Sequence, residues 1–144
     1  MKKILTFLFV GLIAFFTTLN AQETAEPKVH KVVIQVSTDD MRTQKIALNN
    51  AVNLQKLYGL DNVEIEIVAF GPGITLLTDK SRQVKRVESL ALQDISFSAC
   101  LNSIEKLESV SGSKVELLEG VGTVRAGVAR IIELQEDGYS YIRP

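Results

Sequence analysis

Cys100 is the one residue of this 144-residue chain whose type and position suggest covalent chemistry. It follows a short strand-like run at 95–99 and precedes a helical pattern at 102–108, so it stands at a strand end. Asn102 and Glu105 have the spacing of a capping box, an N-cap oxygen with an acid three residues on. With Asn102 as the N-cap, Cys100 lies two residues before the helix, beside its unpaired N–H groups. A helix N-terminus favours negative charge, hence the thiolate, which is the nucleophilic form of cysteine. The same residue has a plainer use. Cys100, Ile104 and Leu107 share one helical face, and a free cysteine often packs as a small hydrophobe. A cationic neighbour would activate the thiol further, and Arg42, Arg82 and Arg125 stand in nearby loops and helix starts.

Other residues offer less. Gly71 and Gly73 flank Pro72 after an apolar strand and could bring backbone amides to an anion, although a strand-ending turn needs the same residues. Asp39 and Asp40 are adjacent carboxylates before a helix. Asp39 is a candidate binding residue, but the pair suits a helix cap better than acid–base work, which requires both in one cleft. Gly120 and Gly122 hint at a phosphate cradle, yet the third glycine of a dinucleotide fingerprint would fall at Arg125. His30 reads as an exposed residue before the first strand. With one His and one Cys, no standard zinc set can be built from this chain, and the thiol reading requires no cofactor.

The elements that must position these residues alternate strand and helix. The runs at 31–36, 63–70, 95–99, 115–118 and 139–143 read as strands. Helical periodicity follows the first run as far as Tyr58, with Gly59 at its end, and recurs at 81–92, 102–108 and 123–136, where Val124, Val128, Ile131 and Ile132 form the apolar stripe. Such alternation specifies an open, mostly parallel sheet of about five strands with helices on both faces. Reacting groups then gather at the carboxyl ends of the strands, in the loops at 37–40, 71–77, 99–102 and 119–122.

The N-terminus bears on compartment. Lys2 and Lys3 precede an uncharged, mainly apolar stretch of 16 residues at 4–19, and Ala21 offers a cleavage point. This is the layout of a secretory signal peptide at 1–21, followed by a polar tether at 22–29 and a single domain at 30–144. The stretch is shorter than the roughly 20 residues that span a bilayer, and no later run approaches that length. The mature protein is expected to be exported, periplasmic or secreted, and free of the membrane. Loss of Lys2 and Lys3 takes 16 basic residues to 14 against 17 acidic, a formal −3. That argues against a nucleic-acid-binding surface, which needs a clustered basic excess. The cluster Lys80, Arg82, Lys85 and Arg86 alternates with Val84 and Val87 as a solvated helix face does. One cysteine in an oxidising space excludes a disulfide within the chain and leaves a free thiol, an intermolecular bond or a buried side chain.

VVIQVSTD at 32–39, Asn50 and Asn53 in the first helix, VAFGPGI at 68–74, FSACLNS at 97–103, Gly120 with Val121, and GYSYIRP at 138–144 occur in an order that resembles the DsrE/DsrF-like proteins, nearest to a poorly characterised exported branch. The resemblance implies a three-layer α/β/α sandwich, assembly into trimers or hexamers, and a persulfide carried at the position of Cys100 and passed between donor and acceptor proteins. Three features depart from that pattern. Phe70 stands where many relatives of this branch have a His, Ser103 and Ile104 replace a Thr–Met pair, and no second Cys follows Cys100. A binding or assembly module with Cys100 as a packing residue is the alternative.

The leader can be checked directly. The exported protein should begin at Gln22 by N-terminal sequencing or intact mass, and a secreted form retaining residues 1–21 would refute the assignment.

Overall fold

The structure is a computed structural model and describes residues 28–144; the expected leader at 1–21 and most of the expected tether lie outside them. The described residues form a five-stranded sheet in the order β4-β3-β2-β1-β5, with every neighbouring pair parallel. The strands are β1 (His30–Val36), β2 (Val63–Ala69), β3 (Ile95–Cys100), β4 (Val121–Val124) and β5 (Ser140–Ile142). The helices are α1 (Met41–Tyr58), α2 (Val84–Ala91), α3 (Leu101–Ser111) and α4 (Gly127–Glu136). This is the expected α/β sandwich. No helix among the described residues is long and apolar enough to cross a membrane.

Strand order and handedness decide which face each helix covers. From β1 to β4 the chain steps in one direction, so right-handed crossovers place α1, α2 and α3 on the same face. The return from β4 to β5 runs the other way and puts α4 opposite. Packing agrees. Ala47, Leu48 and Ala51 of α1, Val87 and Leu90 of α2 and Ile104 of α3 share one core with Ile34, Ile67 and Phe97. Ile131 and Leu134 of α4 pack in a smaller core on Val33 and Val68, which alternate to the other side of their strands, with Phe70 and Tyr139 at its margin.

Local chemistry explains the ends. Asp40 caps α1, its carboxylate accepting from the Thr43 amide and hydroxyl, each at 2.7 Å. The Thr43 hydroxyl and amide hold the Asp40 carboxyl below its ordinary range. After β2 the chain winds into a 3-10 segment, Gly71–Leu77, pressed against the end of β1. A Cβ on Gly73 would lie 2.1 Å from the Val36 carbonyl oxygen, so only glycine permits this approach. The Phe70 amide donates to that same oxygen at 3.1 Å.

Four expectations are corrected. Residues 115–118 are not a sheet strand: they make one antiparallel bridge, Leu117 to Thr78, while Leu118 plugs the main core. The fourth strand is β4, whose Val121 pairs with Phe97 and whose Val124 pairs with Cys100. Gly120 and Gly122 therefore lead into a strand and not a helix, and α4 starts at Gly127, so Val124 belongs to the sheet. Of the proposed α4 stripe only Ile131 is buried; Val128 and Ile132 are 56% and 53% exposed, and Leu134 takes their place. His30 is not an exposed residue before the strand either, since it opens β1 and its ring stacks on Tyr58 at 3.8 Å between centroids.

Candidate functional site

The site is built at the junction of β3 and α3, which has no loop. Cys100 is the last residue of β3 and also the N-cap of α3, with extended backbone at φ −71° and ψ 116°. Asn102 is therefore inside the first turn and is not the cap, because pairing with β4 carries the strand through Cys100. Glu105 does not close a capping box but reaches Arg125 at 2.8 Å. The correction moves the sulfur closer to the helix. The second and third amides of α3, from which an N-cap side chain can accept, are Asn102 and Ser103, and the thiol itself makes no capping hydrogen bond to them.

Alternation along β3 points Ser98 and Cys100 to the face covered by α4. The sulfur is thereby met by two helix starts, α3 through its own chain and α4 through packing. Burial pushes the Cys100 thiol up. Against it stand the Ser103 hydroxyl and the amides of Gly127, Ser103 and Asn102, and the net position is below that of an ordinary thiol. All four donors are neutral. The thiol proton has only a long contact to offer, 4.0 Å to the Arg125 carbonyl, which also accepts from the Asn102 amide at 3.4 Å. Cys100 is 4% exposed.

Ser103 is the residue that sequence reasoning passed over. Its Oγ accepts from the Gly71 amide at 2.7 Å, which leaves the hydroxyl proton free to turn to the sulfur. The Gly71 N–H thus anchors the Ser103 hydroxyl in the first turn of the helix that Cys100 caps. Its third place in a helix capped by Cys100 is the signal that would have revealed it. Gly127 was likewise missed: a Cβ there would sit 2.9 Å from Phe70 Cβ, so its lack of a side chain lets the start of α4 close over Phe70. Phe70 fills the place where the resemblance anticipated a His, and it packs.

The remaining candidates divide. Gly71 acts through Ser103, and the Gly73 amide donates to the Phe70 carbonyl at 3.0 Å, so both amides are spoken for and neither faces an anion. Asp39 lines a cavity of about 310 Å³ with Met41, Gln44, Thr75, Lys80, Ser81 and Arg82. Asn102 and Ser103 border a different, larger cavity of about 500 Å³ with Gly71, Pro72, Lys106 and Val110, and the two cavities share Thr75. Of the arginines considered, Arg125 brings its carbonyl to the sulfur while its guanidinium pairs with Glu105. Arg82 faces the Met41 sulfur at 3.9 Å.

A parallel three-layer domain carrying a thiol at the carboxyl end of its third strand defines the class. Residues 30–144 match the DsrE/DsrF-like family, and the chain belongs to it. A solved structure of a protein of unknown function from Methanobacterium thermoautotrophicum is similar, with a TM-score of 0.71 and 34% identity over 80% of this chain and 99% of that one. No curated protein matches the chain at a significant level.

The Ser103 hydroxyl can be tested alone. Ser103→Ala should slow iodoacetamide labelling of the native protein at pH 7 about two- to tenfold, the loss of one hydrogen bond of about 0.5–1.5 kcal/mol. An unchanged pH profile of labelling would show that Ser103 does not donate to the thiolate.

Proposed function

We propose that this protein is a thiol-based sulfur carrier, exported to the periplasm, in which Cys100 holds a persulfide and passes it on. The observation that carries this reading is the placing of one sulfur at the N-cap of α3 and 4.0 Å from the Arg125 carbonyl just ahead of α4, where neutral donors hold the thiol below its ordinary range. Such donors have little use for a packed thiol, which is a weak acceptor, but they stabilise a thiolate or the anionic end of a persulfide.

The chemistry needs no cofactor. Ionised Cys100 attacks the outer sulfur of a donor persulfide, R–S–S–H. A bond forms from Sγ to that sulfur, the donor S–S bond breaks, and its electron pair leaves with RS⁻. Cys100 is left as –S–S–H, and an acceptor thiolate takes the outer sulfur by the same displacement in reverse. The sulfur is transferred without net oxidation, so neither oxidant nor reductant enters. Asn102 and Ser103 supply amides to the charge, and Gly71 holds Ser103 in place.

One observation favours the second reading, a binding or assembly module with Cys100 as packing: the side chain is 4% exposed. Polysulfide treatment separates the two. Native protein should gain one sulfur on Cys100 by mass spectrometry, and Cys100→Ser should gain none while keeping its fold. A thiol that accepts sulfur only after unfolding would refute the carrier.

The working form is proposed to be a homo-oligomer, a trimer or hexamer. Its support is the apolar surface left by Val128 and Ile132 on α4 and Tyr141 on β5. Light scattering on the leader-free protein should report several chains per particle, and a clean monomer at micromolar concentration would exclude this.

A further inference from the structure

A carboxylate lies in the middle of the sheet for which the carrier chemistry has no direct use. Glu66 is the fourth residue of β2 and only 6% exposed. Its partner comes from a distant part of the chain. Arg130 of α4 grips it with two parallel bonds, Nε to Oε1 at 2.9 Å and Nη2 to Oε2 at 2.7 Å. The Ser98 hydroxyl of β3 donates to the same Oε1 at 2.6 Å. Burial pushes the Glu66 carboxyl up, but Arg130 and Ser98 outweigh it and keep it ionised. One network therefore ties together β2, β3 and α4.

A buried ion pair is a poor way to gain stability, since apolar packing of equal volume often does as well or better. What a two-pronged guanidinium–carboxylate pair supplies is orientation. Orientation is what α4 lacks otherwise. Its buried contacts with the sheet are the small cluster of Ile131, Leu134, Val33 and Val68, and apolar packing alone is non-directional. Gly127 is the first residue of α4 and follows by two residues Arg125, whose carbonyl lies 4.0 Å from the sulfur, and by three Val124, which pairs with Cys100. Arg130 lies one turn on, and its own amide closes that turn on the Ala126 carbonyl at 3.0 Å. Where Arg130 is held, Gly127 is held. Ser98 precedes Cys100 by one strand repeat, about 6.6 Å on the same face, so the clamp and the sulfur are adjacent. Phe70 limits the approach from the other side, against Gly127.

We infer that Glu66 and Arg130 are positioning residues for Cys100: their ion pair sets the register of α4 on the sheet so that the Gly127 amide meets the sulfur. This rests on Cys100 being the working thiol. The charged groups around the network are Glu133, which also pairs with Arg130 at 3.5 Å, and Tyr139, Glu64 and Lys31 at the far end of β2. Around the sulfur the charged groups are Glu105 and Arg125, paired with each other and exposed.

The test is the pH profile of iodoacetamide labelling for the wild type, Glu66→Gln, Arg130→Lys and Arg130→Met, with Gly127 amide exchange followed by NMR. Lost positioning should move every midpoint upward, slow labelling near pH 7 by about two- to fivefold, the range of a helix-end effect, and speed exchange at Gly127. A direct charge effect has another signature: Glu66→Gln would lower the midpoint, Arg130→Met would raise it, and Arg130→Lys would leave it in place. That pattern overturns the inference. If Arg130→Met does not fold, Glu66→Gln and Arg130→Lys still separate the two signatures. An activated wild-type thiol with unmoved variants overturns the clamp alone. A wild-type thiol that labels only after unfolding overturns the carrier reading, and the clamp with it.

Discussion

The site depends on one constraint: β3 passes into α3 without a loop, so Cys100 serves both elements at once. As a strand residue it must alternate, and alternation turns its side chain toward the α4 face. As an N-cap it sits at the start of α3, whose first amides a capping side chain normally satisfies through oxygen; here the Asn102 amide turns to the Arg125 carbonyl and the thiol makes no capping bond. Sulfur is a weaker acceptor than oxygen in the neutral state and a good one when ionised. The helix start therefore favours the thiolate over the thiol, and the parallel sheet supplies a second helix start from the other side.

The two faces of the sheet are unequal, and this inequality shapes the site. Three helices bury Ile34, Ile67 and Phe97 in a broad apolar core. Among the described residues α4 covers the other face by itself, with four buried apolar residues and the Glu66–Arg130–Ser98 network. A face with so little apolar contact needs directional bonds to fix its helix, and it can accommodate a buried carboxylate because each oxygen is hydrogen-bonded. Phe70 and Gly127 add a steric stop. An imidazole in place of Phe70 would put a titrating group near the sulfur; here the stabilisation comes from donors that do not titrate near neutrality.

Much of this was legible in the residues themselves. VVIQV at 32–36 and Val63–Ala69 form strands as their composition demands, and Asp40 caps α1 where a helix cap was read. Cys100 at a strand end followed from the pattern at 95–99 alone. Residues 115–118 and 121–124 show the limit. The first stretch is apolar enough for a strand yet inserts Leu118 as a plug, while the second reads as a loop running into the helical pattern at 123–136 and pairs with β3. Hydrophobic periodicity records which residues are buried; it does not record the strand they are buried against.

The sequence by itself determined the alternating α/β layout, the single thiol and its place before a helix, because these follow from local burial patterns and residue counts. The tertiary structure alone decided that Cys100 is the cap, that the Arg125 carbonyl ahead of α4 lies 4.0 Å from its sulfur, and that Arg130 reaches Glu66 from 64 residues away. Each of these depends on strand order and on the face to which α4 crosses. Both are set by long-range pairing, which leaves no periodic trace in the chain.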